Sequence, residues 1–416
     1  MDKKIAIVVC GIKNHIVLLN KLRARGFYTI LVDGADKSLA SEAADENVKV
    51  DIFDFESIKR IAIERKASLI INACQEHLNA GICKICEEIG LPYPYSYDTA
   101  MSISNKELMK QKMKENGIST TDFICVSPTD EVKDVDLKYP VYVKSCVGSG
   151  SNAVTRAENI SEIEQGINKI HDKYHNSKII IEEEARGNEY NVYCFPEDGN
   201  ANVLLVARRY TDNLSADHVT KLVGTMAPPI ISEEAMRNIE ETANKITTAF
   251  RLDNVPMFMQ VMVDGENVNV IEFAGRMAGG FGYQTILDSV GVDWFEATIN
   301  SFLGVKNKIK YENPTQYISV SHIYGYSCVF GGFRGIEKLI NDGVIKHVLF
   351  PKMPGMLVKE GSANGSLIAY MIHMAPTVRE LAVKIERTFD EMDFLDENGE
   401  SKLNRSLLLS YDRVTE

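Results

Sequence analysis

Along the first hundred positions, apolar residues come in short solid runs separated by helical spacings. Ile5 to Val9 is one such run; Gly11 follows as a turn, and Ile16, Leu19 and Leu22 recur at helical spacing until Gly26. Tyr28 to Val32 repeats the run and ends in Asp33. Val48 to Ile52 and Ser68 to Asn72 supply two more, with helical patterns over Ser57 to Arg65 and Leu78 to Ile89. Runs of about five apolar residues read as strands covered on both faces, and their alternation with helices predicts a parallel, doubly wound α/β sheet.

Leu91 to Tyr97, with two prolines, reads as a linker, and the pattern then changes. A polar helix is predicted over Ser104 to Asn116, closed by Gly117, then strands at Phe123 to Val126 and Val141 to Lys144. After a glycine–serine loop come a helix at Ser161 to Tyr174 and strands at Lys178 to Glu182, Glu189 to Phe195 and Ala201 to Arg209. A polar loop from Asp212 to Gly224 and a long helix over Glu233 to Arg251 precede a hairpin. That hairpin pairs Met257 to Val263 with Asn267 to Phe273 across Asp264-Gly265, a strong turn signal. This middle region reads as α+β. From about Trp294 a smaller mixed region follows, with a last helix near Val378 to Met392. Three parts are expected, at 1–100, 101–300 and 301–416.

The chain's 416 residues are 45% hydrophobic and 25% charged, the balance of a soluble globular protein. No run approaches the ~18 apolar residues of a membrane span, and the start MDKKIAIVV reads as a first strand rather than a leader, so a cytoplasmic protein is expected. With 46 Lys+Arg against 58 Asp+Glu the formal net charge is −12, which argues against a nucleic-acid or anionic-membrane surface. The eight cysteines are scattered as buried, reduced thiols would be, and Cys83-Lys-Ile-Cys86 falls mid-helix, where core packing is the expectation. The eight histidines form no HxH or HExxH cluster, so spacing predicts no protein-built zinc site.

Four stretches carry functional residue types that structure alone does not demand. In the first, the strand Val141 to Lys144 ends in a lysine and is followed by Gly148-Ser149-Gly150-Ser151, a loop dense in N–H and hydroxyl donors that suits phosphate oxygens. In the second, an apolar strand runs into Glu182-Glu183-Glu184, with Ala185, the Gly187-Asn188 turn and Glu189 after it; this reads as a solvated turn or as a hinge reading an adenine and a ribose. The third places Gln260 and Glu272 on facing strands, then Arg276 on a glycine-rich segment; oxygen ligands there suit Mg²⁺, and a Glu272–Arg276 ion pair is the plain alternative. The fourth is Arg208-Arg209 and the Asp212 to Gly224 loop with His218 and Lys221. Strand one and Asp33 have the spacing of a dinucleotide site, but Cys10-Gly11-Ile12-Lys13-Asn14 holds one glycine where that fingerprint needs three, which argues against a nicotinamide cofactor.

The order and spacing of these stretches resemble the ATP-grasp superfamily over nearly the whole chain. The resemblance implies a Rossmann-like N-terminal domain, a two-lobed ATP-clasping centre with its small lobe at about 120–185, and a C-terminal α+β cap. It implies ATP and Mg²⁺ (or Mn²⁺) as cofactors, with Lys106, Lys144 and the Gly148 to Ser151 loop on the phosphates. Glu182, Glu183 and the backbone at Ala185 would face the adenine, Glu189 the ribose, and Glu272 with Gln260 the metal. The family's usual Glu-x-Asn is here Glu272-Phe-Ala274, and its other acidic ligand falls on Gln260. The Glu-x-Ala-x-Arg form, with Gly279-Gly280 after it, looks more like L-amino-acid ligases. This gives Arg276 the substrate carboxylate or acyl phosphate, with His218 and Lys221 as further catalytic candidates. The expected activity is a carboxylate–amine ligase acting on small molecules, without nucleic-acid or membrane partners and with a homodimer allowed for. The rivals are a bicarbonate- or formate-using enzyme of the same fold and a non-catalytic ATP-binding protein.

Overall fold

The computed structural model describes residues 3–130, 132, 134–147, 154–174, 177–212 and 220–415. The N-terminal part is built from β1 (Ile5–Val9), α1 (Lys13–Ala24), β2 (Tyr28–Asp33), β3 (Glu46–Lys49), α2 (Phe55–Glu64), β4 (Leu69–Ile71) and α3 (Glu76–Ile89). Its four strands are parallel in the order β3-β2-β1-β4, and the central ones are buried almost throughout. The third strand lies at Glu46–Lys49 rather than at Val48 to Ile52. Pairing of Ile30 to Asp33 with Glu46 to Lys49 sets its place, and this edge strand alternates half-buried and exposed residues instead of forming an apolar run. The Asp33 carboxylate accepts the Gly11 N–H at 2.6 Å and the Ala35 N–H at 2.8 Å, so it closes the turn after β1.

The polar helix expected over Ser104 to Asn116 is α5 (Lys106–Glu115), and a separate short helix, α4 (Tyr97–Ser104), precedes it. Asn105 breaks them: its backbone is extended and its side chain accepts the N–H groups of Glu107 and Leu108, an N-cap that starts a new helix axis.

The small lobe comprises β5 (Phe123–Val126), β6 (Val141–Ser145), β7 (Thr155–Ala157), α6 (Ile160–Tyr174) and β8 (Ile179–Glu183), an antiparallel sheet in the order β5-β8-β6-β7. Ile163, Ile167 and Ile170 of α6 share a core with Val141, Val143, Ile179 and Ile181. Gly166 is needed there, because a Cβ on it would lie 3.0 Å from Cβ of Val143.

The large lobe continues with β9 (Asn188–Cys194), β10 (Val203–Asp212), β11 (Lys221–Ala227), α7 (Glu233–Phe250), β12 (Met257–Asp264), β13 (Asn267–Ala274), α8 (Gly282–Val290) and α9 (Trp294–Phe302). The remainder is β14 (Tyr317–Tyr324), β15 (Cys328–Arg334), α10 (Ile336–Asn341), β16 (His347–Leu349), β17 (Leu357–Val358), α11 (Ala363–Ser366), β18 (Leu367–Ala375), α12 (Val378–Glu391), β19 (Asp393–Asp396) and α13 (Tyr411–Thr415). One eight-stranded antiparallel sheet, β13-β12-β9-β10-β11-β14-β18-β16, runs through both regions.

Ala235, Ile239, Ala243, Ile246 and Phe250 make one stripe of α7 and cover the face carrying Val192, Met257, Met259, Val261 and Val270. The opposite face is shared. Tyr193, Ala207, Ala227, Trp294 and Phe295 join Leu18, Leu19 and Ile71 of the N-terminal part in one core, and Lys21 bonds Asp293 at 2.6 Å. This packing carries α3 of the N-terminal part to the segment that follows β13, where Glu76 meets Arg276. Among the described residues no helix is long and apolar enough to cross a membrane.

The loop expected from Asp212 to Gly224 is shorter, since β10 reaches Asp212 and β11 begins at Lys221. The hairpin register Asp212↔Lys221 and Arg209↔Thr225, together with β14 on the far side of β11, holds both ends extended. Lys221 therefore lies within a strand, 1% exposed, with its ammonium over the Tyr324 ring.

Candidate functional site

Charged side chains from α3, α5, β6, β8, β9, β10 and β13 converge where the small-lobe sheet meets the large one. β6 alternates, so Val141 and Val143 enter the small-lobe core while Tyr142 and Lys144 face the other way, towards the large sheet. Lys144 bonds Glu182 across the β6–β8 ladder. Glu182 is 3% exposed and also accepts Lys110 Nζ at 2.8 Å and Thr121 Oγ1 at 2.9 Å. Lys110, one helical turn after Lys106 on α5, is itself 2% exposed and donates to Thr120 and Thr121 as well. Burial alone would raise the Glu182 carboxyl's pKa; Lys144 and Lys110 more than reverse this and hold it well below the usual carboxylate range. Burial opposes the charge on Lys144, but Glu182, then Glu272 and Glu189, hold its ammonium above the ordinary lysine value. Lys144 thus links the small lobe to two carboxylates on the large sheet.

Those carboxylates lie on the open face of β9, β12 and β13. Gln260 pairs with Glu272 on one side and with Asn191 on the other, so the three form one row across the sheet. Among the described residues, neither the Glu272 carboxylate nor the Gln260 side-chain amide has a hydrogen-bond or ion-pair partner. One row along, Arg209 Nε lies 2.8 Å from Glu189, and its NH1 donates to Asn191 at 2.9 Å.

The third wall comes from the N-terminal part. Glu76, the first residue of α3, lies 3.2 Å from the Arg276 guanidinium, which also donates to the Met277 carbonyl at 2.9 Å. Burial pushes the Glu76 carboxyl up to about 7, the charge of Glu272 adds to this, and Arg276 and Lys106 oppose it. Arg276 is held in place from both sides. Gly275 packs so closely on Tyr95 that a Cβ would meet the ring at 2.8 Å, and Asn14 Nδ2 donates to the Gly280 carbonyl at 2.9 Å.

Glu76, Lys106, Lys110, Lys144, Glu182, Glu189, Gln260, Glu272 and Arg276 are thus brought to one place. Glu183 sits at the hinge with Oε1 accepting the Lys138 N–H at 2.9 Å, and Ala185 follows half-buried. The Glu182 carboxylate, by contrast, is turned inward on its two lysines. Lys221 stands apart over Tyr324. Gly148, Ser149, Gly150, Ser151 and His218 lie outside the described residues. Sequence reasoning did not single out Lys110, although its four-residue spacing from Lys106 places both on one helix face. The sequence marks Gln75-Glu76-His77 as a substrate-facing segment and Arg208-Arg209 as a functional stretch, but the partners of Glu76 and Arg209 lie far along the chain and have no sequence signal.

Residues 137–284 match the family model described as "ATP-grasp domain". The chain is 25% identical over 215 residues to an L-arginine-specific L-amino acid ligase of Bacillus subtilis, a match covering 49% of this chain; the chain spans about half (50%) of that relative's length. Its fold superposes on an L-amino acid ligase from Bacillus licheniformis with a TM-score of 0.82, covering 95% of this chain and 100% of the other at 17% identity. The biotin carboxylase domain of a 2-oxoglutarate carboxylase from Hydrogenobacter thermophilus, solved with MgADP and bicarbonate, gives a TM-score of 0.74 at 16% identity, covering 100% of this chain and 95% of that one.

Proposed function

Since the chain belongs to the ATP-grasp superfamily, whose nucleotide-dependent chemistry includes both ligases and carboxylases, we propose that it is an ATP-dependent carboxylate–amine ligase whose activated substrate is an amino acid. The observation that carries this reading is the Arg276–Glu76 pair at 3.2 Å beside Glu272. Bicarbonate and formate present only negative charge, and Glu76 offers them no cationic partner; once ionised, near pH 7 and above, it repels them. An amino acid presents both signs. Its carboxylate replaces Glu76 on the Arg276 fork and its ammonium goes to Glu76, so one internal pair is exchanged for two external ones.

ATP lies in this reading between the two lobes. The backbone at Glu183 to Ala185 reads the base and Glu189 accepts from the ribose hydroxyls. Lys106 and Lys144 face the phosphates, and Lys144 reaches them already oriented by Glu182. Arg276 aligns the substrate carboxylate for in-line attack on the γ-phosphoryl group, giving an acyl phosphate and ADP. The amine of the second substrate then attacks the acyl carbon and phosphate leaves, forming an amide bond. Glu272 and Gln260, side by side and without a side-chain hydrogen-bond partner among the described residues, fit the one or two protein ligands a phosphate-bound Mg²⁺ takes. Mg²⁺ bound there would neutralise charge on the phosphoryl group in flight. His218 remains a candidate acceptor for the amine proton. Lys221, buried over Tyr324, receives no step.

ADP and phosphate release from Mg·ATP, measured across pools of amino acids, other small carboxylates and amines, tests this reading. Release is expected only with an amino acid and an amine together, and should be lost in Glu272→Ala. Release supported by bicarbonate or formate alone would transfer the chain to the carboxylase-type reading.

A further inference from the structure

Away from the charged cluster, the small lobe brings together three side chains that no sequence spacing connects. Glu107 is the second residue of α5, Cys125 lies on β5 and Cys146 follows the end of β6. One ligand atom from each lies within 4.8 Å of the other two, and among the described residues this is the only group of three metal-ligating side chains so placed. The two thiols are hydrogen-bonded to each other, Cys146 is 1% exposed and Cys125 is half-buried.

We propose that Glu107, Cys125 and Cys146 form a binding site for a thiophilic divalent cation of the Zn²⁺ class. A tetrahedral zinc with metal–sulfur bonds of ~2.3 Å and metal–oxygen bonds of ~2.0–2.2 Å needs ligand atoms roughly 3.5–3.8 Å apart, so the group must close by only about 1 Å. A disulfide is the competing use of two adjacent thiols, and the sheet argues against it. Cys125 pairs with Ile180 on one edge of the β8 segment, while the Cys146 N–H bonds the Lys178 carbonyl on the other edge. Two strand spacings put the backbones about 9–10 Å apart, beyond the ~7 Å a disulfide spans without backbone movement. A metal bridges that gap because it adds its own radius between the sulfurs.

Charge is also balanced. Two thiolates and one carboxylate leave one negative charge around a divalent ion, and Lys178, whose ammonium lies 2.9 Å from Glu107, supplies the compensating positive charge. The Lys106 N–H already bonds the Cys146 carbonyl at 2.9 Å. A cation at the site therefore ties the start of α5, with Lys106, to the strand that carries Lys144. The inference does not depend on the reaction proposed above.

The test uses the full chain, reduced, desalted and saturated with Mg²⁺ so that hard-cation sites are filled. One equivalent of Co²⁺ is expected to give tetrahedral d–d bands and a sulfur-to-cobalt charge-transfer band, both displaced by Zn²⁺. Cys125→Ser and Cys146→Ser should each weaken binding by at least ~100-fold, and Glu107→Gln, at a partly exposed position, by ~10-fold. In the unaltered protein, Zn²⁺ should protect Cys125 from alkylation by iodoacetamide, a readout that requires no variant to fold. Absence of the charge-transfer band, its persistence in both Cys→Ser variants, or unchanged alkylation of Cys125 would overturn the proposal. So would a Cys125–Cys146 disulfide recovered from air-oxidised protein.

Discussion

Replacing Lys110 with methionine tests whether the buried charges around Glu182 hold the lobes together. Methionine keeps most of the alkyl stem and removes the ammonium, leaving the 3%-exposed Glu182 carboxylate with Lys144 and the Thr121 hydroxyl. Deleting one partner of a buried pair costs about 3–5 kcal/mol, because the remaining charge stays desolvated. Retention of Lys144 sets the expectation near the lower bound, about 3 kcal/mol. At an unfolding entropy of ~2.1 cal/mol/K per residue, a chain of this length melting as one unit would lose about 3–4 °C, and a lobe melting by itself would lose more. Lys245→Met is the control. It breaks the Lys245–Glu241 pair, 46% and 64% exposed, and should cost about 0.3–0.5 kcal/mol, well under 1 °C. Thermal unfolding of both variants and of Lys110→Met/Glu182→Gln, in which the stranded charge is removed, reads the difference. Equal shifts for Lys110→Met and Lys245→Met would refute the reasoning, as would a double variant less stable than Lys110→Met alone.

Three further outcomes are expected. Burial raises Glu76 to about 7, so from the unfolded carboxyl value near ~4.3 up to about pH 7 the folded chain holds a proton that the unfolded chain has released. Stability should fall as pH rises through that interval and then level off; Glu76→Gln should flatten the profile, and a constant gap between variant and parent from pH 5 to 8 would exclude the titration. In the proposed reaction, Arg276→Lys keeps the charge but loses the planar fork, so kcat/KM for the carboxylate substrate should drop roughly 10–100-fold with ATP affinity little changed, and parallel loss of both would point to a fold defect instead. Gly187, at φ +101° with the Val263 carbonyl 2.1 Å from where a Cβ would sit, should not accept alanine: Gly187→Ala is expected to cost about 1–3 kcal/mol in thermal unfolding, and a neutral result would mean that the hinge does not rest on β12.

The parts of the fold that could be read from the sequence were those whose signal is local. β1 and β2 are solid apolar runs, and the β12–β13 hairpin announces itself through Asp264-Gly265 and alternation, which also places Gln260 opposite Glu272. What escaped was settled by partners far along the chain. β3 lies where Ile30 to Asp33 pair with it, and β11 is a strand because β10 and β14 flank it although Lys221 and Gly224 look like loop residues. The run Glu182-Glu183-Glu184 offers three equivalent carboxylates to a reader of sequence. Only packing shows that the first is enclosed by Lys110 and Lys144, while the third bonds Tyr142 and Arg156 nearer the surface. The Glu76–Arg276 contact and the Glu107, Cys125 and Cys146 group have no spacing signal at all, since each unites different elements.

The eight-stranded sheet bears on how freely this chain could be cut or recombined. β11 presents Gly224 to Ala227 to Ile318 to Ser321 of β14, and β18 and β16 follow beyond. A boundary drawn after α9 looks natural in the primary structure, yet a chain ended there would expose the backbone donors and acceptors along β11 together with Val223 and Met226 beneath them. An unpaired, partly apolar edge of that kind is a template for joining another chain. The last hundred residues therefore act less as a detachable module than as the selvedge of the large sheet's fabric, and any exchange of that region between relatives would have to preserve the seam between β11 and β14.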